Sequence, residues 1–126
     1  MAGDAPITDQ KRPYDLHERT ALFGESINKL CRSVKVTPVT GVLIRQLVRA
    51  GTSVGANHEE ADDADTKKDF RYKIGLCKRE AKESRYWLRQ LKVALPEQVE
   101  VLEPLRQEAR ELTLIFAAIV RSSSIP

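Results

Sequence analysis

Apolar residues recur along this chain at alternating spacings of four and three, which line one face of an α-helix. The first stripe is Leu16, Thr20, Phe23, Ile27 and Leu30. Asp15 with Glu18 three positions on has the capping-box form that opens a helix, so a first helix is expected to about Lys35. Thr37–Pro38 is a second start signal. It puts a hydroxyl at the cap and proline in the first turn, where its missing N–H is not needed. Val39, Leu43, Leu47, Ala50, Val54, Asn57, Ala61 and Ala64 then share a face of a second helix. Thr66 with Asp69 opens a third, carrying Phe70, Ile74, Cys77, Ala81, Ser84, Leu88 and Leu91. LPEQ at 95–98 is a break, and Leu102, Leu105, Ala109, Leu112, Phe116 and Ile119 form the stripe of a fourth helix.

No stretch alternates with the period of two that a half-buried strand needs. The expected fold is all-α, an antiparallel up-down-up-down four-helix bundle over residues 14–122. A flexible leader is expected at 1–13 and a tail at 123–126. Pro104 poses a question, because proline inside a helix removes a backbone hydrogen bond and kinks the chain. Either residues 96–102 form a separate turn or the fourth helix bends there.

The small residues in RAGTSVGAN, 49–57, sit mid-helix. Glycine there costs about 1 kcal/mol relative to alanine, so Gly51 and Gly55 need a reason. The reading adopted is an unbroken helix whose Ala50, Gly51, Gly55 and Ala56 let another backbone come close. A turn near Asp65–Thr66 would set position 54 against 77 and 50 against 81. Asn57 on the buried stripe must find hydrogen bonds, and Gln46 and Ser84 are candidates to join it in a polar layer. Arg45 and Arg49 fall near the level of Glu80 and Glu83, which predicts ion pairs between the helices.

Composition narrows the function. The 126 residues suit one domain, and 41% hydrophobic with 31% charged residues is a globular mixture. No apolar run is long enough for a membrane span, and the N-terminus lacks the apolar segment of a signal peptide. Cys31 and Cys77 form no CxxC pair. They read as reduced core residues of a cytoplasmic protein.

Glu59, Glu60, Asp62, Asp63 and Asp65 invite a catalytic or metal reading. A di-iron bundle site needs core-facing glutamates with Glu-x-x-His motifs, and neither His17 nor His58 completes one. The glycine and spacing of an EF-hand are missing, as are phosphate-loop and nucleophile-elbow motifs. An acidic helix end facing solvent accounts for the run. No metal, cofactor or catalytic residue is expected.

The net charge of +3 hides a segregation. Residues 67–92 hold ten basic residues against three acidic ones, whereas 59–65 and the fourth helix collect acids. Arg71, Lys78, Arg85 and Lys92 recur every seven residues beside the core stripe, with Lys82 and Arg89 on the adjacent line. These six form a cationic face suited to phosphate. Tyr72, Tyr86 and Trp87 among them could stack on bases or anchor an interface. Arg19, Lys29, Arg32, Lys35, Arg45 and Arg49 extend the excess into the first two helices.

YDLHERTALF at 14–23, QLVRAGTSVGANHEEA at 46–61, DFRYKIGLCKREAKESRYWLRQL at 69–91 and ELTLIFAAIVRS at 111–122 resemble the bacterial four-helix bundle proteins often encoded within intervening sequences of 23S ribosomal RNA genes. That family is related to the accessory variability protein of diversity-generating retroelements. The resemblance implies a homopentamer with a central channel, and its retroelement relatives bind nucleic acid through a basic surface. Arg49, Ser53, Asn57, Glu60, Phe70, Glu83, Arg85 and Trp87 stand at the motif matches, which support fold and assembly. With Gly51 and Gly55, they make Arg49, Ser53, Asn57, Phe70 and Trp87 the expected structural residues. His58 and Pro104 depart from the family pattern.

The function expected is therefore non-enzymatic: a homo-oligomeric bundle binding RNA or DNA backbone through the third helix. A protein-binding scaffold is the alternative, with a bundle metal protein or enzyme behind it.

Overall fold

The computed structural model describes residues 15–123 and contains four helices joined by short links. They are α1 (Leu16–Ser33), α2 (Pro38–Asp62), α3 (Lys67–Ala94) and α4 (Val99–Ser122). The expected leader at 1–13 and the tail residues 124–126 lie outside the described residues.

Each start signal does local work. The Asp15 side chain accepts from the Glu18 amide, Thr37 from those of Val39 and Thr40, and Thr66 from that of Asp69. Thr40 completes a box that the sequence reading lacked. Its hydroxyl accepts from the Thr37 amide at 2.8 Å and donates to the Lys35 carbonyl at 2.6 Å. α1 stops at Ser33, two residues short of expectation, because Val34 turns extended and donates to the Cys31 carbonyl.

Pro104 resolves in an unforeseen way. Pro96–Gln98 is a 3-10 turn, and α4 begins at Val99 with Pro104 inside it. The ring faces solvent, as does Glu100 one turn back, whose carbonyl would have taken the missing N–H.

The stripes supply the core. Phe23, Ile27, Leu47, Val54, Ile74, Leu88, Leu91, Leu102, Leu112 and Phe116 are buried, with partly buried Phe70 and Trp87 packed against them. Val39 is the exception, 60% exposed. Counting back seven from Leu47 reaches Thr40, which is buried, so the phase was one residue off at this end.

Ion pairs show the helix directions. Lys73 meets Glu60 and Arg49 meets Glu80 and Glu83, so numbers rise on α3 as they fall on α2. Lys92 meets Glu103, and Arg71 donates to the Val120 carbonyl across α3 and α4. α3 packs extensively on both α2 and α4, whereas α1 rests on α2 and touches α4 lightly. The bundle is thus antiparallel and sequentially wound.

α2 is unbroken, and Ala50, Val54, Cys77 and Ala81 are all fully buried along the expected α2–α3 register. The close approach, however, is to α1. A Cβ on Gly51 would collide with Ile27 Cδ1, and one on Gly55 would sit 3.4 Å from Thr20 Oγ1. One on Gly24 of α1 would lie 3.6 Å from the Gly51 carbonyl oxygen. Glycines on both helices therefore let these two backbones meet.

The polar layer does not form. Asn57 Nδ2 donates to the Ser53 carbonyl, Ser84 Oγ to the Glu80 carbonyl, and Gln46 accepts from Arg49. Each group is satisfied within its own helix, one turn back for the first two, as short polar side chains often are.

Candidate nucleic-acid interface

The seven-residue recurrence along α3 does put bases on one side, but their surroundings divide them. Arg71 lies near the start of α3 and donates through Nε to the Val120 carbonyl at 3.2 Å. Lys92 lies at the other end with Nζ 2.5 Å from Glu103 Oε2. Hydrogen bonding from Lys92, then from Arg106, holds the Glu103 carboxyl below the usual glutamate range. Lys78 is half-buried.

Lys82, Arg85 and Arg89 come together. With Tyr86 and Arg106 they line an open groove of about 300 Å³ between α3 and α4. Lys82, Arg85 and Arg89 are exposed and form no ion pair with any described residue. No carboxylate lines the groove. Arg106 enters from α4, with Nη1 3.0 Å from Glu103 Oε2 and its Nε shielded from water without a hydrogen-bond partner.

Arg106 was missed from the sequence. The Lys92–Glu103 pair sets position 89 level with 106 on the antiparallel neighbour, so extending the register beyond the 95–98 break would have found it. Tyr86 is 53% exposed and meets Trp87 edge-on, with ring centroids 5.0 Å apart. Trp87 faces inward and donates Nε1–H to Glu83 Oε2 at 3.0 Å.

That same Glu83 oxygen takes Arg49 Nη2 from α2, while Arg49 Nη1 lies 3.3 Å from Glu80 Oε1. Ser53 Oγ donates to the Arg49 carbonyl at 2.6 Å. Arg49 thus ties α2 to α3, while Ser53, Asn57 and Trp87 bond within their own helices. The expected Arg49 pairs exist, while Arg45 makes none among the described residues.

Arg19, counted above with the basic surface, is consumed. Its Nε and Nη2 reach Glu108 at 2.7 and 2.8 Å, and Nη2 reaches Glu111 at 2.7 Å. The cationic ground outside the groove is therefore smaller than composition suggests.

At the opposite end of α2 the acidic run is largely exposed, with Glu60 taken by Lys73 at 2.6 Å. His17, which completes no Glu-x-x-His motif in the sequence, comes over from α1 to His58 and Asp62. Burial lowers the His58 pKa, opposed by the Asp62 charge. Cys31 and Cys77 are free and buried, and desolvation pushes their thiols up to about 11 and about 12. Neither suits a nucleophile. No described helix is long and apolar enough to cross a membrane.

Comparison with known proteins follows the fold. The sequence model of the family described as 23S rRNA-intervening sequence protein matches residues 14–118. A crystal structure of a protein of unknown function from the S23 ribosomal protein family of Bacteroides thetaiotaomicron superposes with a TM-score of 0.75 at 28% identity, covering 83% of this chain and 97% of that one. No curated protein matches.

Proposed function

The chain belongs to the 23S rRNA-intervening sequence protein family, and from that premise we propose that it is a non-enzymatic oligomeric bundle that binds RNA or DNA backbone through the α3–α4 groove. The observation that carries this reading is the convergence of Lys82, Arg85, Arg89 and Arg106 around Tyr86, with no carboxylate among them. Lys82, Arg85 and Arg89 repel one another with no carboxylate to offset them, Arg106 being shared with Glu103, and a phosphate relieves that repulsion. Guanidinium groups suit the task because their planar donors match phosphate oxygens in pairs. Tyr86 adds a ring face on which any base can stack. Contacts of this kind position a backbone and carry no sequence information, so weak sequence selectivity is expected.

Fluorescence anisotropy with labelled structured RNA and duplex DNA tests this. The native chain should bind at low salt. The triple variant Lys82→Gln, Arg85→Gln, Arg89→Gln should lose binding while keeping its helicity. Equal binding by the variant, or none by the native chain, defeats the reading.

A homo-oligomer, and with it a protein-binding role, has its own support. Val36, Val39, Val42 and Val93 are 51–79% exposed, and they occupy the α1–α2 link, the start of α2 and the last turn of α3. These segments share one end of an antiparallel bundle, and apolar surface grouped this way marks interfaces. Light scattering on the full chain should report five times the 14.2 kDa chain mass. A monomer would remove the pentamer. A basic-face partner that survives nuclease treatment would favour the scaffold role over nucleic-acid binding.

A further inference from the structure

His58 and Asp62 lie four residues apart on α2, so they project from one face a turn apart. The antiparallel return brings the first turn of α1 beside the last turns of α2, and His17 reaches across. One donor atom from each of His17, His58 and Asp62 lies within 4.8 Å of the other two. His17 Nδ1 is 3.1 Å from Glu59 Oε2 and 4.0 Å from Asp62 Oδ2. The two imidazole rings stand 6.4 Å apart, tilted by 57°.

The neighbouring Glu59 carboxylate gives the exposed His17 ring a partner. It does not do so for His58. That ring packs against Phe116 at 6.2 Å, and its Nδ1 is shielded from water with no hydrogen-bond partner. A buried polar atom left unmet is unfavourable. An apolar ring at this position would pack against Phe116 without that cost, so packing alone does not explain a histidine.

We infer that His17, His58 and Asp62 form a binding site for a divalent transition cation of the zinc class, with Glu59 holding the His17 ring or giving a fourth oxygen. Two imidazoles and a carboxylate suit zinc, nickel or copper, whereas magnesium and calcium prefer all-oxygen shells. Donors around tetrahedral zinc stand about 3.3 Å apart, given metal–nitrogen distances of about 2.0–2.1 Å. The cluster must therefore tighten by about 1.5 Å at most, the difference between the 4.8 Å bound on its donor separations and that geometry. His17 and Asp62 are exposed and free to rotate inward, while Phe116 packs against His58. The C-terminal end of α2 adds favourable field for a cation.

The consequence is a clasp. α1 is lightly attached to α4, chiefly through Arg19, and an ion shared by its first turn and the end of α2 would tie that turn to α2 as well. His17 and Glu59 also line a groove of about 280 Å³ along the glycine-rich α1–α2 contact, so the ion would sit at the head of that seam.

The test uses the full chain stripped of metal, titrated with Zn²⁺ by calorimetry and with Co²⁺ by visible absorption. The native chain should take up one ion saturably, show four-coordinate Co²⁺ bands and melt at a higher temperature with Zn²⁺. His17→Ala and Asp62→Asn, both exposed positions, should each weaken uptake by about tenfold or more with helicity unchanged. Glu60→Gln, whose carboxylate is held by Lys73, should bind as the native chain does. No saturable uptake by the native chain, or native affinity in either His17→Ala or Asp62→Asn, overturns the site.

Discussion

Gly51 and Gly75 are both glycines inside helices, yet their surroundings oppose. A Cβ at Gly51 meets fully buried Ile27, whereas one at Gly75 meets nothing within 4 Å. Gly75→Ala should therefore raise stability by about 0.5–1 kcal/mol through the unfolded chain's lost freedom. Gly51→Ala should lower it by about 1–3 kcal/mol as Ile27 is forced from its packing. Urea unfolding of the two variants measures both; a gain at Gly51 would refute the close α1–α2 contact. The thiols give a second residue-scale expectation. With Cys31 and Cys77 held near 11 and 12 by burial, almost no thiolate exists at neutral pH. Iodoacetamide should leave the folded chain unmodified and label both positions once it unfolds, so rapid labelling of the native state would contradict the core placement. Cys77 was legible as buried because it falls on the third helix's apolar stripe, and Cys31 because unpaired cysteine packs as a small hydrophobe. The meeting of His17 with His58 was not, because they sit 41 positions apart on different helices and nothing local joins them.

At the scale of elements, α1 depends on two attachments of different kinds. Glycines seat it on α2, and Arg19 clasps Glu108 and Glu111 of α4. Arg19→Ala should cost about 1–2 kcal/mol, the range for charge-assisted bonds discounted for partial exposure. Amide exchange should quicken in α1 before α3, and uniform exchange in all four helices would argue against the clasp. The same acids give a pH dependence. Hydrogen bonds from Gln107 and then Arg19 lower the Glu111 pKa, and those from Lys92 and then Arg106 lower that of Glu103. Each carboxyl then favours folding when ionised. That stabilisation is complete above the ordinary glutamate value of about 4.3 and fades as pH falls through the lower folded values. Thermal midpoints should drop between about pH 5 and pH 3, and Glu103→Gln with Glu111→Gln should flatten that drop. Helix starts were legible from Asp15, Thr37 and Thr66, since caps are local chemistry. The role of Arg19 was not, because a stripe tells which face is polar and not which distant helix it meets. Pro104 was ambiguous for a related reason: its tolerance depends on a solvent-facing carbonyl, which only the packed helix reveals.

For the whole molecule, the four-helix class and the α2–α3 register followed from spacing and short links. The proposed binding surface, drawn from the sequence as the whole basic α3 face, is larger than the groove the fold leaves unpaired. Folding occupies Arg71, Lys92 and Arg19 with partners on α4 and sets Arg106 of that helix, itself paired with Glu103, beside the groove. The remaining groove defines how binding should respond to salt. Each phosphate neutralised on a duplex contributes about 0.9 to the slope of log affinity against log salt. Anisotropy titrations of structured RNA and duplex DNA across a salt series, for the native chain and the Lys82→Gln, Arg85→Gln, Arg89→Gln, Arg106→Gln variant, test the account most directly. A steep native slope that falls by about three units in the variant on duplex DNA is the predicted result. An affinity and slope left unchanged by losing all four cations would contradict it.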